Sequence, residues 1–195
     1  MKELVFATNN KHKLQEVSEM LNGIVKIHSL AEIGLFGDIP ETADTLDGNA
    51  LQKAQWVYKR TGMSCFADDT GLEVVALDGR PGVFSARYAG EHCSFDDNIN
   101  KMLGEMDGKT DRRACFRTVI CLIDKDEKEP LFFEGRVDGQ ILTERYGQEG
   151  FGYDPIFMPD HFAVSFAEMP LEVKNHISHR GRAVAKLVEH LKNNK

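Results

Sequence analysis

The sequence lacks any apolar run that approaches the roughly 20 residues of a membrane span. Its N-terminus is too short in apolar length for a signal peptide. An excess of basic residues is missing too, since 24 Lys and Arg against 31 Asp and Glu give a formal net charge of −7. That charge argues against broad binding to DNA or RNA, which needs a basic face. These absences predict a cytoplasmic protein whose partners include neither a membrane nor a nucleic acid.

Cysteine is scarce, and its spacing matches no metal or redox motif. The four cysteines form no C-x-x-C pair, and no histidine spacing completes a zinc site. Cys65 and Cys115 lie in apolar, strand-like segments, which predicts buried thiols in a reducing compartment.

What the chain does contain is an alternation of short apolar runs with amphipathic helices, which is typical of an α/β fold. The pattern predicts strands at Lys2–Ala7, Val25–Ser29, Met63–Ala67, Arg112–Ile123, Pro130–Leu142 and Phe151–Met158, and a short apolar segment at Leu72–Leu77. It predicts helices at Lys11–Leu21, Leu46–Arg60, Phe95–Met106 and Arg182–Lys192. We therefore expect a single domain, residues 1–195, with a mixed, bent central sheet, flanking helices and two lobes.

The segment between the first predicted strand and the first predicted helix could bind phosphate groups, and we call it the phosphate cradle. A helix N-terminus offers free backbone N–H groups and partial positive charge. Polar and basic side chains there add further donors: Thr8, Asn9, Asn10, Lys11, His12 and Lys13. The alternative is a helix N-cap with surface lysines.

Two acidic segments are candidates for metal binding or for work on water. Asp68 and Asp69 follow a predicted buried strand, where α/β sheets bind their ligands, and we expect a turn there to decide which carboxylate faces the site. The predicted loop Ile33–Asp47 carries Glu41, and Lys53 follows on the next helix. Carboxylates in such places can hold Mg²⁺ or accept a proton from water. An ordinary Asp-rich turn and a solvated loop acid are the alternatives.

Two further segments have the donors and rings that a nucleobase needs. Phe151–Asp154 places aromatic rings around a glycine, so that a base could stack on a ring and Asp154 could accept from ring nitrogens. Lys174 and the Ser178–Gly181 segment precede the last predicted helix, where Arg180 could donate to a carbonyl or phosphate oxygen. A core-filling strand and a capped helix start are the alternatives.

Together these segments resemble the inosine triphosphate pyrophosphatase family, the non-standard purine triphosphate pyrophosphatases. The family's motifs are matched in order, over nearly the whole chain, by Thr8, Asn10 and Lys13, by Ala67–Leu72, by Pro81–Tyr88, by Phe151–Phe157 and by Ser178–Gly181. One position departs from the pattern: Gly48 stands where many relatives carry Glu before the helix Asn. Glu41 is therefore the better candidate metal ligand, with Asp47 and Asp68 as alternatives.

The resemblance implies an elongated, two-lobed α/β homodimer with its active site in a cleft between the lobes. It implies Mg²⁺-dependent hydrolysis of ITP, dITP and XTP to the monophosphate and pyrophosphate. Asp69 is then the catalytic carboxylate and, with Glu41, a metal ligand. The implied substrate-binding residues are Thr8, Asn9, Asn10, Lys11, His12, Lys13, Lys53, Thr70, Phe151, Gly152, Tyr153, Asp154, Lys174, His179 and Arg180.

Among these, Thr8, Asn10, Lys13, Lys53 and Lys174 hold phosphates or ribose, whereas Phe151–Asp154, His179 and Arg180 hold the base. Two rival functions remain: the same fold acting on altered pyrimidine triphosphates, and a nucleotide-binding regulator without catalysis. The Phe151–Asp154 and Ser178–Gly181 segments count against the first, and the presence of Asp69 beside a phosphate cradle counts against the second.

Overall fold

The computed structural model describes residues 2–193, and within them it has seven strands and five α-helices. The strands are β1 (Glu3–Phe6), β2 (Lys26–His28), β3 (Cys65–Val74), β4 (Pro81–Gly82), β5 (Arg113–Ile123), β6 (Leu131–Ile141) and β7 (Phe157–Pro159). The helices are α1 (Lys11–Leu21), α2 (Leu46–Thr61), α3 (Phe95–Glu105), α4 (Leu171–Ile177) and α5 (His179–Asn193). Among these described residues, no helix is long and apolar enough to cross a membrane.

All seven strands belong to one sheet, in the order β2-β1-β3-β5-β6-β7 with β4 paired to β3. β1 runs parallel to both β2 and β3, whereas β3–β4 and β6–β7 are antiparallel pairs. The predicted α/β class with a mixed sheet is therefore confirmed. The strands predicted at Arg112–Ile123 and Pro130–Leu142 are confirmed as β5 and β6, which are neighbours in the sheet.

The chain divides into two compact units. Unit 1 comprises the described residues of Met1–Asp69, then Thr118–Gly135 and the described residues of Arg180–Lys195. Unit 2 comprises Thr70–Arg117 and Arg136–His179.

In unit 1, helices α1 and α5 cover one face of the sheet. Leu4 and Phe6 of β1 and Phe66 of β3 pack there with Val17 of α1 and Leu187 of α5. The Phe6 and Phe66 rings stack with their centroids 4.5 Å apart. Because alternate residues of a strand point to opposite faces, these contacts determine to which face of the sheet every other side chain of β3 points.

Helix α2 packs against the residues of β3 that point the other way. The Cys65 thiol donates to the carbonyl oxygen of Ala54 at 3.2 Å, and Ala50, Ala54 and Val57 are fully buried. Thr45 caps the N-terminus of α2 by accepting the Gly48 amide N–H at 3.0 Å. The helix that carries Lys53 is thus held rigidly at its start and along its buried face.

In unit 2 the core is centred on aromatic rings. The Phe116 ring of β5 lies 4.7 Å from that of Phe157 and 4.5 Å from the imidazole of His179, centroid to centroid. Phe166 packs against the same group.

The four cysteines are free thiols, and the predicted burial of Cys65 and Cys115 is confirmed. Burial raises the pKa of Cys65 to about 12 and that of Cys115 to about 11. Both groups are therefore protonated, and poor nucleophiles, at neutral pH.

Three expectations about secondary structure were wrong. The Asp68–Gly71 segment makes no turn, because β3 continues through it to Val74. Most of the predicted strand Phe151–Met158 is instead a loop and a 3₁₀ turn, Asp154–Ile156, followed by the short β7. Pro155 accounts for this, since its fixed φ suits the start of a 3₁₀ turn and it has no N–H for a sheet. The sequence reading also missed helix α4, which carries Lys174.

Candidate active site

Asp68 and Asp69 are adjacent residues in the middle of β3, and strand alternation sends their side chains to opposite faces. Asp68 follows the parity of Phe66 and points to the α1 and α5 side. Asp69 follows the parity of Cys65 and points to the α2 side. Both are buried, at 1% and 7% exposure. The strand, and no turn, therefore decides what each carboxylate contacts.

On the α2 side, Asp69 belongs to a cluster of four polar residues, Glu41, Asn49, Lys53 and Asp69, which we call the α2-side cluster. Asn49 Nδ2 donates to Asp69 Oδ2 at 3.0 Å, and Lys53 Nζ lies 3.5 Å from Asp69 Oδ1. Lys53 also donates to Glu41 Oε1. Asn49 and Lys53 are four residues apart, so they share one face of α2.

Burial raises the pKa of Asp69, although the nearby Lys53 and Lys13 charges oppose this shift. For Lys53, burial disfavours the charged form, but the carboxylates of Asp69 and Glu41 outweigh it and raise the pKa of the ammonium. A carboxylate whose pKa is pushed upward beside a firmly charged ammonium is typical of a catalytic site.

On the opposite face, Asp68 belongs to a second cluster, Lys13, Glu16, Asp68 and Arg180, which we call the α5-side cluster. Lys13 Nζ lies 3.1 Å from Asp68 Oδ1, and Arg180 Nε lies 3.3 Å from Asp68 Oδ2. Arg180 Nη1 donates to Glu16 Oε2 at 2.5 Å. Burial works against the charge on Asp68, but Lys13 and Arg180 outweigh it and hold the pKa of this carboxyl well below its usual range.

The predicted phosphate cradle lies at the N-terminus of α1. Asn10 is the N-cap, and its side-chain oxygen accepts the backbone N–H groups of His12 at 3.0 Å and Lys13 at 3.1 Å. Thr8 Oγ1 accepts the Asn10 N–H at 3.1 Å, and Asn9 donates to the carbonyl of Gly37 at 3.0 Å. The predicted N-cap is thus present, and the Thr8 and Asn10 side chains accept three of the backbone N–H groups at the helix start.

The exposure of the cradle side chains separates them into two kinds. Lys11 and His12 are exposed, as the surface-lysine alternative expected. Lys13 is instead turned inward onto Asp68, where burial lowers the pKa of its ammonium despite that partner. Lys13 is thus the one cation of this segment, within the described residues, that faces a buried carboxylate.

In unit 2, Asp154 gathers the side chains that were predicted to meet a base. Its Oδ2 accepts the Phe151 backbone N–H at 2.8 Å and the Lys174 ammonium at 2.7 Å. Lys174 Nζ lies 5.0 Å from the centroid of the Phe151 ring, within range of a cation–π interaction. We call Phe151, Asp154 and Lys174 the aromatic cluster. Lys174, which the resemblance grouped with phosphate ligands, lies here with Phe151.

The residues next to the aromatic cluster are held in place by buried contacts and by the conformation of the backbone. The Tyr153 hydroxyl donates to the Ser85 carbonyl at 2.8 Å, so this buried ring anchors the loop and does not line its surface. Gly152 adopts a φ of 62°, a left-handed conformation that only glycine takes at little cost. His179 is buried against Phe116. Thr70, the first residue of unit 2, is half-buried beside Asp69 in β3.

Sequence reasoning paired Arg180 with the base-binding residues, and the structure places its guanidinium in the α5-side cluster of unit 1. Its contact with a base stays a prediction. Glu16 was missed altogether, although a signal existed: it lies three residues after Lys13, on the same face of α1. Asn49 was not assigned a role either, although it lies four residues before Lys53, on the same face of α2.

The oxygen atoms of the α2-side cluster fit a magnesium ion. Mg²⁺ in nucleotide sites takes one or two carboxylates and completes its shell with water and phosphate oxygens. Glu41 and Asp69 supply two carboxylates that converge on one cation, the Lys53 ammonium. Within residues 2–193 there is no group of three or more His, Cys, Asp and Glu side chains that could enclose a metal. The donor set thus suits an ion that binds together with a nucleotide.

The structure also accounts for Gly48. A Cβ at this position would lie 2.7 Å from the Ala43 Cβ and 2.9 Å from Thr45 Oγ1, so a side chain there would push on the helix cap. Asp47, the possible substitute ligand, is exposed. Glu41 remains the better partner for Asp69.

Fold and clusters define an α/β protein with buried carboxylates set among cations, a class suited to binding and cleaving phosphorylated ligands. The model of the Ham1 family matches residues 4–190 of the chain. A dITP/XTP pyrophosphatase of Porphyromonas gingivalis is 57% identical over 192 residues, covering 98% of both chains. One from Flavobacterium psychrophilum is 52% identical over 191 residues, covering 98% of this chain and 100% of the relative.

Solved structures of Ham1 proteins have the same fold as this chain. The Staphylococcus aureus Ham1 protein superposes with a TM-score of 0.89 at 39% identity, covering 100% of both chains. A HAM1 protein from Coxiella burnetii gives a TM-score of 0.90 at 39% identity, covering 99% of this chain and 100% of its own. The chain belongs to the Ham1 family.

Proposed function

We propose that this chain is a nucleoside triphosphate pyrophosphatase that hydrolyses the non-canonical purine nucleotides ITP, dITP and XTP to the monophosphate and pyrophosphate. Such an enzyme clears damaged purines from the nucleotide pool. The observation that carries the proposal is the α2-side cluster, in which a buried carboxylate of raised pKa lies between an amide and an ammonium. Relatives named dITP/XTP pyrophosphatase, at 57% and 52% identity, support the substrate class.

Asp69 orients the attacking water and accepts its proton. Its raised pKa brings the carboxylate nearer to the working pH, where a general base is most effective. Asn49 and Lys53 each approach a different oxygen of Asp69, so the carboxylate cannot rotate freely. Water that attacks the α-phosphorus expels pyrophosphate and leaves the monophosphate.

Cations stabilise the charge that moves onto the leaving group. Lys53 and Lys13, together with the positive end of the α1 dipole, are placed to bind the phosphate oxygens. Bound Mg²⁺, held by Glu41 and Asp69, would offset the charge of the triphosphate. Pyrophosphate is a good leaving group when its charge is spread and neutralised in this way.

The aromatic cluster selects the base. The Phe151 ring offers a stacking face, and the Lys174 ammonium carries three donors and no acceptor. Hypoxanthine and xanthine present a carbonyl acceptor at position 6, which suits such donors, whereas adenine presents an amino donor. A mismatch of this kind can discriminate by up to about 10⁴-fold.

A pyrophosphate-release assay with Mg²⁺ tests the function directly. We expect ITP, dITP and XTP to be cleaved far faster than ATP, and Asp69→Asn to abolish this turnover. In ¹⁸O-labelled water the label should enter IMP. Label in pyrophosphate would keep the function and overturn attack at the α-phosphorus. Release of IDP and orthophosphate, faster cleavage of altered pyrimidine triphosphates, or binding without turnover would each refute the proposal.

The family resemblance also supports two finer proposals, that the enzyme acts in the cytoplasm and that it is a homodimer. Sedimentation equilibrium at several protein concentrations should give about twice the chain mass of 21.9 kDa. A single-chain mass throughout that range would contradict the homodimer, and recovery in a membrane fraction would contradict the location.

A further inference from the structure

Asn49 joins the two halves of the α2-side cluster. It is 1% exposed, and both ends of its amide are used. Its Nδ2 donates to Asp69 Oδ2 at 3.0 Å, and its Oδ1 accepts the backbone N–H of Ala43 at 2.9 Å. One buried side chain thus bonds to the proposed catalytic carboxylate and to the segment that carries Glu41.

The orientation of this amide is fixed by its partners. A backbone N–H can be accepted only by the carbonyl end of the Asn side chain, so the amino end must face Asp69. Ionised Asp69 can only accept. The two bonds are therefore mutually consistent, and reversing the amide would place donor against donor at one end and acceptor against acceptor at the other.

The Ala43 bond matters because Ala43 lies two residues after Glu41. The segment before α2 contains no helix or strand among its described residues from Ser29 to Thr45, so it depends on bonds such as this one for its course. Glu41 then reaches the same ammonium, Lys53, that Asp69 approaches. The spacing between the two carboxylates depends on how this segment is tied to α2.

We infer that Asn49 is a positioning residue, which holds Glu41 and Asp69 in the arrangement needed to bind a divalent cation. The inference rests on the proposed function and assigns Asn49 no contact with the substrate. Residues that hydrogen-bond to metal-binding carboxylates typically contribute 10- to 100-fold to metal affinity or to activity. We expect an effect of that size here.

Gln52 provides a matched control on the same helix. Its side chain ties the same segment, since Gln52 Nε2 donates to Thr42 Oγ1 and its Oε1 accepts the Thr42 N–H, both at 2.8 Å. Neither bond involves Asp69. Gln52→Ala therefore loosens the segment beside Glu41 and leaves the carboxylate orientation alone, whereas Asn49→Ala removes both links.

The experiment measures Mn²⁺ binding to the complexes of a slowly hydrolysed ITP analogue with wild type, Asn49→Ala, Asn49→Leu and Gln52→Ala. The measure is the loss of the free-ion electron spin resonance signal beyond the loss that the analogue causes without protein. Asn49→Leu nearly keeps the side-chain volume, so it guards against a cavity that unfolds the protein. Far-UV circular dichroism selects a temperature at which every variant is folded. Steady-state rates with ITP are measured in parallel.

We expect both Asn49 variants to raise the Mn²⁺ dissociation constant at least about tenfold and to lower kcat about 10²-fold, with KM for ITP changed far less. Gln52→Ala should lose clearly less than either Asn49 variant, because it keeps the bonds of Asn49 to Asp69 and to Ala43. The inference is overturned if the Asn49 variants bind Mn²⁺ like wild type, if Gln52→Ala loses as much as they do, or if wild type binds no Mn²⁺. Wild type that binds Mn²⁺ but releases no pyrophosphate would instead refute the proposed function alone.

Discussion

At the scale of single residues, Asp68 and Asp69 show how one peptide bond separates two chemical roles. Asp68 is surrounded by cations, which stabilise its charge and fix it as a structural anion. Asp69 has an amide and one more distant ammonium, and burial dominates its titration. The difference comes from the neighbours that each face of the strand supplies, because the side chains themselves are identical.

Exchanging each aspartate for asparagine should therefore give opposite results. Asp69→Asn removes a charge that burial disfavours, so we expect the free energy of unfolding to stay the same or rise while turnover falls at least about 10²-fold. Asp68→Asn removes the anion that Lys13 and Arg180 share, although Arg180 keeps Glu16, and should cost about 3–5 kcal/mol. Urea unfolding and the pyrophosphate assay measure both quantities. A stable Asp68→Asn variant, or an active Asp69→Asn variant, would contradict the assigned roles.

The same two residues predict a pH dependence of stability with a defined sign. The pKa of Asp68 is lowered in the folded state, so its contribution is fully present above the ordinary Asp pKa, about 3.9, and is lost as the pH falls through the folded value. The pKa of Asp69 is raised, so its contribution is favourable at low pH and is lost as the pH rises through that value.

Urea midpoints between about pH 3 and pH 7 test this. Relative to wild type, Asp68→Asn should lose less stability on acidification, and Asp69→Asn should lose more. Parallel curves for all three proteins would show that neither carboxyl changes its pKa on folding.

At the scale of elements, Arg180 joins the start of α5 to α1 and β3 through Glu16 and Asp68. Arg180→Ala would remove the cation that Glu16 and Asp68 share, leaving Lys13 to balance Asp68, so we expect a loss of about 3–5 kcal/mol. Lys192→Ala, on an exposed position of the same helix, should stay within about 0.5 kcal/mol of wild type. Chemical denaturation compares them, and equal losses would contradict the role of the α5-side cluster. The ratio of ITP to ATP turnover in the folded variant tests the predicted base contact.

The loop of the aromatic cluster depends on a glycine for a steric reason. Gly150 has a φ of 74°, and a Cβ there would collide with the Asp154 carboxylate, whose Cγ would lie 3.0 Å away. Gly152 has a similar φ of 62° but open space around it. Both substitutions to alanine share the left-handed backbone cost of about 1–2 kcal/mol. Gly150→Ala should lose more, because it also displaces Asp154 from Lys174.

Thermal unfolding of the two alanine variants, with wild type alongside, measures that difference. The matched backbone cost cancels, so the remainder reports the collision with Asp154. Equal melting temperatures for Gly150→Ala and Gly152→Ala would show that the carboxylate yields without cost.

Helices and strands with regularly spaced apolar residues could be predicted from the sequence. Elements whose conformation depends on contacts with residues remote in sequence could not. Helices α1 and α2 and the β5–β6 pair follow regular apolar spacing and lie within a residue or two of their predicted bounds. The composition of Asp68–Gly71 is typical of a turn, and β3 persists there because helices remote in sequence neutralise both carboxylates. Helix α4 has seven residues and no side-chain cap, so it left little signal.

The residues of the candidate site likewise divide into those that a local pattern could predict and those that it could not. Local motifs predicted roles for Asp69 and Lys13, and these roles stay predictions. The bond between Arg180 and Glu16 spans 164 positions, and no local pattern encodes it.

At the scale of the whole molecule, the α2-side cluster supplies two carboxylates, and no larger metal-enclosing group occurs in the described part of the chain. Magnesium should therefore be needed for activity and not for folding. We expect EDTA to abolish pyrophosphate release while leaving the melting temperature of the nucleotide-free protein unchanged. Mg²⁺ with a slowly hydrolysed ITP analogue at a hundredfold excess over Kd should stabilise the protein by about 2.7 kcal/mol. A melting temperature that falls with EDTA alone would reveal a structural metal.

The alternation of Asp68 and Asp69 along β3 also limits which genetic changes this segment can accept. Inserting or deleting one residue upstream in the strand would exchange the faces of every later side chain. An insertion before Ala67 would bring Ala67 to the place where Lys13 and Arg180 require an anion, and a deletion would bring Thr70 to the place where Asn49 and Lys53 meet a carboxylate. Substitution can change either face separately, whereas a change in the length of β3 before Ala67 alters both faces at once.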